Sequence, residues 1–289
     1  MKPLRARLEE ARKRLGMPWE ALERDYLLSW VLAGISRTED LRKTLVFKGG
    51  TALKKCYFGD YRFSEDLDFS ALSGTPTGSA MEQAMLKACA ATAAMLDEYA
   101  PVTLVCERYT ERESHPGGQE AFNIRAQFPW HRRPHTRVIV EASVDEQILL
   151  PPQRRAVIHE YGERFDAELA VYPLEEIVAE KLRAILQHAE KLERRGWSRS
   201  RARDYYDLWR VFHRYRDVMR LEDFRGLLVS KCAVRHVGFA GPDDFFQPAM
   251  LAYVQRTWRD WLGPLVTDLP SFELVVDELR AQLATLGLT

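Results

Sequence analysis

The sequence predicts an α+β fold, a mixed β-sheet flanked by helices and followed by a C-terminal helical domain. Helical periodicity dominates both ends of the 289-residue chain, strand-like segments occupy its middle, and a Gly-Gly turn links a short apolar run to an Asp-x-Asp pair. The soft boundary lies near residue 170. It divides an α+β part, residues 1–170, from a helical part, residues 171–289.

Leu4 to Leu15 and Pro18 to Ser36 read as two helices, the second entered at a proline whose missing N–H costs nothing there. Leu45, Val46 and Phe47 read as a short buried strand, Gly49-Gly50 as a tight turn, and Thr51 to Tyr57 as the start of a helix. In Asp66 to Phe69 acids alternate with Leu67 and Phe69, the pattern of a strand with its carboxylates on one face. Thr77 to Tyr99, rich in Ala, Met and Leu, reads as a long helix covering one side of the sheet. Val102 to Glu107, Phe122 to Phe128 and Arg137 to Val144 are successive strands, with the loop SHPGGQ between the first two, and imply an antiparallel extension. From Leu174 the pattern is helical again: Leu174 to Glu193, Ala202 to Tyr215, Leu221 to Cys232, Pro248 to Trp261 and Ser271 to Leu286.

Composition narrows the function classes. With 46% hydrophobic residues the chain can build a core, and 42 basic against 42 acidic residues leave nucleic-acid contact to local patches. Cys56, Cys89, Cys106 and Cys232 form no CxxC pair and read as reduced thiols. The charged N-terminal helix has no signal-peptide core, and no long apolar stretch occurs, so a cytoplasmic location is expected.

The chemistry concentrates in Lys48 to Asp68, KGGTALKKCYFGDYRFSEDLD. Glycines allow backbone N–H groups to approach a polyphosphate, and the helix that follows presents its positive dipole end to it. Asp66 and Asp68, side by side, repel unless a cation joins them. Magnesium fits because it takes oxygen ligands and is completed by substrate phosphates. In RVIVEASVDE, Glu141 follows three β-favouring apolar residues as a further strand acid, with Asp145 and Glu146 as alternatives if the register differs.

Gly49, Gly50, Thr51, Asp66 and Asp68 resemble the motif of the polymerase-beta-like nucleotidyltransferases. KGGTAL followed by RFSEDLDF is closer still to the AbiEii toxin family, the nucleotidyltransferase half of type IV toxin–antitoxin and phage-abortive-infection pairs, which includes the MenT toxins. The resemblance implies a nucleotidyltransferase palm and a magnesium-dependent (or manganese-dependent) enzyme. Asp66, Asp68 and Glu141 would hold the metal, while Lys48, Gly49, Gly50 and Thr51 would grip a nucleoside triphosphate. LEEIVAEKLRAIL and SRARDYYDLW look like later family motifs, carrying over Lys181 and Asp204 as catalytic residues of a helical domain that completes the cleft, with Asp207 as the alternative acid. The acceptor implied is RNA, in particular the 3′ end of tRNA, with translation blocked, and the partner a separately encoded winged-helix antitoxin.

Basic residues from Lys181 to Arg203, together with Arg132, Arg133, Arg137, Arg154 and Arg155, could meet an RNA backbone. His131 and His135 are four apart, but Pro134 argues against the helix that would align them as metal ligands. A binding module on the same palm, without turnover, is one alternative. A kinase-like phosphotransferase is another, weakened by the lack of a G-x-x-x-x-G-K-[ST] loop and of paired H-R-D and D-F-G elements.

Overall fold

A computed structural model describes residues 2–109, 118–196 and 199–288. The expected SHPGGQ loop falls mostly outside the described residues. The chain forms two compact units, Met1–Tyr172 and Pro173–Thr289.

The first unit begins with helices α1 (Leu4–Leu15), α2 (Trp19–Arg37) and α3 (Glu39–Thr44). Strand β1 (Leu45–Lys48) leads into α4 (Gly49–Ala52), which runs on as a π-helical turn over Leu53–Phe58. Then follow β2 (Asp66–Ala71), α5 (Gly78–Leu96), β3 (Thr103–Arg108), β4 (Gln119–Gln127), β5 (Thr136–Ser143), β6 (Gln153–Ala156) and β7 (Glu168–Val171). They build one seven-stranded mixed sheet in the order β3-β4-β5-β2-β1-β7-β6. The β3-β4-β5 meander is antiparallel, whereas β2 runs parallel to β5 and β1 parallel to β7.

Side chains alternate across the strands. One face carries Phe47, Leu67, Phe69, Val138 and Val140, all buried. Helix α2 packs here, and the Thr136 hydroxyl donates to its buried Glu23 at 3.0 Å. Helix α5 lies against α2. A Cβ added at Gly34 would sit 2.1 Å from Thr92 Oγ1 and 2.4 Å from the Ala88 carbonyl oxygen, so only glycine lets these helices meet there. From Leu22 to Ser36 every residue of α2 except Arg24 is buried, polar ones included. Asp25 is held at 2.7 Å by Lys55 of the π-turn and accepts from the Tyr161 hydroxyl at 2.8 Å. A burial of this kind ties α2 to the segment just after the glycine pair.

Three elements are missing from the sequence reading, and two helix starts differ from it. The short helix α3 and strands β6 and β7 carry no period long enough to announce them, and β6, QRRA, has no apolar face at all. The helix expected from Thr51 starts two residues earlier, at Gly49. Pro18 precedes the first residue of α2 with extended ψ, and so sits outside the helix.

The second unit contains α6 (Leu174–Arg195), α7 (Ala202–Tyr215), α8 (Phe224–Ala233), α9 (Pro248–Leu262) and α10 (Phe272–Ala284). The α6 stripe of Leu174, Ile177, Val178, Leu182, Ile185 and Leu186 is buried as its spacing requires. Ser271 caps α10 by accepting from the Leu274 N–H. Among the described residues no helix is long and apolar enough to cross a membrane.

Candidate active site

The glycine turn and the acids meet on the sheet face opposite α2. Register does the work: Lys48 lies opposite Asp68 across β1 and β2, and Asp68 lies opposite Glu141 across β2 and β5. Directly opposed residues share a face, so Lys48, Asp68 and Glu141 form one row and Asp66 stands in the next, opposite Ile139. The alternatives to Glu141 are placed differently, since β5 ends at Ser143, leaving Asp145 exposed beyond it and Glu146 buried. All three acids keep partial exposure.

Gly49 has φ +78°, the left-handed region that L side chains avoid. A Cβ there would sit 2.6 Å from Asp68 Oδ2. The backbone of the turn therefore abuts the carboxylate with no atom to spare, and Gly49→Ala is expected to push Asp68 aside. Strain and displacement together should cost about 1–3 kcal/mol of stability and roughly a hundredfold in turnover, read by thermal melting and by nucleotide-transfer assay.

Thr51 is fully buried, and its hydroxyl donates to the Asp66 carbonyl at 2.5 Å beside the Ser64 hydroxyl at 2.6 Å. Its side chain thus fixes the start of β2 against α4, leaving its backbone for any ligand. Tyr172, which no local pattern marked, closes the far side. Its hydroxyl lies 2.7 Å from Ser70 Oγ, its ring 5.7 Å from Lys48 Nζ, and its carbonyl accepts from the Tyr57 hydroxyl at 2.6 Å.

Among the described residues no group of three or more His, Cys, Asp or Glu side chains is placed to hold a metal ion. The donor set nonetheless suits a hard cation, being carboxylate oxygens in adjacent register. Magnesium needs only one or two protein carboxylates when phosphates and water complete it. His131 and His135 do meet, rings 5.2 Å apart, because the β4–β5 turn and not a helix brings them together. His131 Nε2 faces Glu23 Oε1 at 3.2 Å, a structural tie to α2.

In the helical unit Lys181 is buried. The reason lies on α7: Lys181 Nζ donates to Asp204 Oδ1 at 3.0 Å and to Asp207 Oδ2 at 2.6 Å, so both candidate acids hold it. Arg201 Nη1 donates to Asp204 Oδ2 at 2.9 Å. Burial pushes the Asp204 carboxyl up, but Lys181 and Arg201 outweigh it and leave it well below the usual carboxylate range.

Arg201 Nη2 lies 2.7 Å from His188 Nε2, and His188 Nδ1 lies 2.9 Å from the Ala184 carbonyl. That arrangement needs a neutral ring donating from Nδ1. Burial and the Arg201 charge lower its pKa to about 4. Its unfolded counterpart takes up a proton first, near pH 6.5, so stability contributed by the neutral ring is present above about pH 6.5 and lost as pH falls toward 4. Melting temperature followed over that window should fall, and His188→Gln should flatten the decline.

The profile of the family described as "Nucleotidyl transferase AbiEii toxin, Type IV TA system" matches residues 30–281. Among solved structures the fold is similar to MenT4, a nucleotidyltransferase toxin from Mycobacterium tuberculosis H37Rv, with a TM-score of 0.62, 23% identity, and coverage of 93% of this chain and 84% of that one. A search of curated protein sequences finds no match. A family profile spanning both the glycine–aspartate face and the Lys181–Asp204 helices covers most of the chain, which belongs to the AbiEii nucleotidyltransferase toxin family of type IV toxin–antitoxin systems.

Proposed function

We propose that the protein transfers a nucleoside monophosphate from a nucleoside triphosphate to an RNA hydroxyl in a magnesium-dependent reaction. The acceptor in this reading is the 3′ end of tRNA, translation in the cytoplasm is blocked as a result, and a winged-helix antitoxin provides the antidote. The observation that carries it is the abutment of Gly49 on Asp68, with Asp68 in register with Glu141. Backbone N–H groups from Gly49 to Thr51 hold the triphosphate, and Lys48 adds a charge on the same row. Asp66, Asp68 and Glu141 would hold the cation, which when bound neutralises charge on the transferring phosphate. Alternatively Glu141 accepts the proton of the attacking hydroxyl. Lys181 and Asp204 enter through the family resemblance, as a charge-balancing group and its orienting partner.

Incubation with each labelled nucleoside triphosphate, magnesium and total RNA tests the reading. Label is expected on RNA, with pyrophosphate released, and absent for Asp66→Ala and Asp68→Ala. Triphosphate binding without label transfer would point to a binding module. A product heavier by a phosphate alone would point to a kinase.

A further inference from the structure

Beyond the acids, away from the glycine turn, the same sheet face continues onto β4 and β3. Asn123 on β4 lies opposite Ile139 of β5, itself opposite Asp66, so it stands two strand spacings, about 10 Å, from that acid. Its side chain is 9% exposed, and its carboxamide oxygen is buried with no hydrogen-bond partner among the described residues. A buried acceptor left open costs free energy unless something supplies a donor.

Two neighbours on this face flank it. Tyr109 follows β3, two residues past Glu107, which lies opposite Asn123, and Arg137 lies on β5 two residues before Ile139. The Arg137 guanidinium is 5.9 Å from the Tyr109 ring. Arg125 lies opposite Arg137, 3.7 Å from the Glu107 carboxylate. Arg132 and Arg133 are exposed in the adjoining turn.

Nucleotidyl transfer places attacking and leaving oxygens roughly in line across the phosphate. With the pyrophosphate held at the Gly49 turn on the β1 side, the acceptor hydroxyl must enter from the β4 side. Resting on the transfer reaction proposed above, we infer that Tyr109, Arg137 and Asn123 form the acceptor subsite, which takes the single-stranded 3′ end of an RNA. Tyr109 stacks a base, Arg137 meets the adjoining phosphate, and the Asn123 oxygen accepts from a base N–H.

The full-length protein would be titrated with a fluorescent eight-nucleotide single-stranded RNA, without nucleoside triphosphate, and assayed for label transfer at saturating triphosphate. Tyr109→Ala, Arg137→Gln and Asn123→Leu should each weaken RNA binding and raise the KM for RNA by about tenfold. The KM for triphosphate should stay unchanged, and Tyr109→Phe should restore binding. Variants that melt as wild type yet bind RNA equally well would overturn the assignment, as would a wild type that ignores the oligonucleotide or prefers duplex. Should wild type bind the oligonucleotide yet transfer no label, the proposed reaction fails while the binding arm still decides the subsite.

Discussion

Asp68→Asn is expected to reduce nucleotide transfer by about a thousandfold or more, roughly 4 kcal/mol of transition-state stabilisation, with little change in folding. Asparagine keeps the volume beside Gly49, whose missing Cβ leaves room for nothing larger, and keeps the strand register with Lys48 and Glu141. It removes the negative charge that a cation on this face requires. Steady-state kinetics with labelled triphosphate, paired with thermal melting, separates the two effects. Retained activity would mean that the row Lys48–Asp68–Glu141 is a surface feature of the sheet and no catalytic device.

Lys55→Met should destabilise the first unit by about 3–5 kcal/mol, because it strands a buried carboxylate. Asp25 and Lys55 expose 5% and 3% of their side chains, and Lys55 also donates to Ser29 Oγ at 2.9 Å. Burial pushes the Asp25 carboxyl up, yet Lys55 and Lys54 outweigh it and hold it below its ordinary value. In the wild type ionised Asp25 therefore contributes stability above the ordinary carboxylate range near pH 4, lost as pH falls through the depressed native value, while burial outweighs the pull of Asp25 on Lys55 and lowers that ammonium's pKa. A melting-temperature drop of roughly 10 °C is expected at pH 7. The double variant Asp25→Asn/Lys55→Met should recover part of it, since the carboxylate is then gone, and only part because buried Lys54, 3.9 Å from Asp25 Oδ1, loses its counter-charge.

Contiguous features were legible in the chain. The apolar run before Gly49, the glycine pair and the alternation of Asp66, Leu67, Asp68 and Phe69 each act over a few residues, so their strand–turn–helix–strand consequence could be read directly. Glu141 could be named as a candidate because three β-favouring residues precede it. Its placement opposite Asp68 depends on a parallel pairing across more than seventy residues, which no local pattern encodes. Tyr172 and Asn123 gave no signal for the same reason: one arrives through a four-residue strand, the other is a polar residue whose meaning depends on which face it occupies. The burial of the Lys181 ammonium could not be read, because helix spacing locates a residue on its own helix and says nothing of acids on the next one. Asp204 and Asp207, three apart on α7, make burial of that ammonium tolerable. Gly49 shows the reverse, since a turn glycine was evident but its role as the first residue of α4, pressed on Asp68, needed the register of β1 with β2.

The most direct test is a crystal structure with magnesium and a non-hydrolysable nucleoside triphosphate. The cation should lie about 2.1 Å from carboxylate oxygens of Asp66 and Asp68, with the phosphates against the N–H groups of Gly49 to Thr51. A triphosphate seated away from that turn, or a cation that ignores both aspartates, would contradict the account.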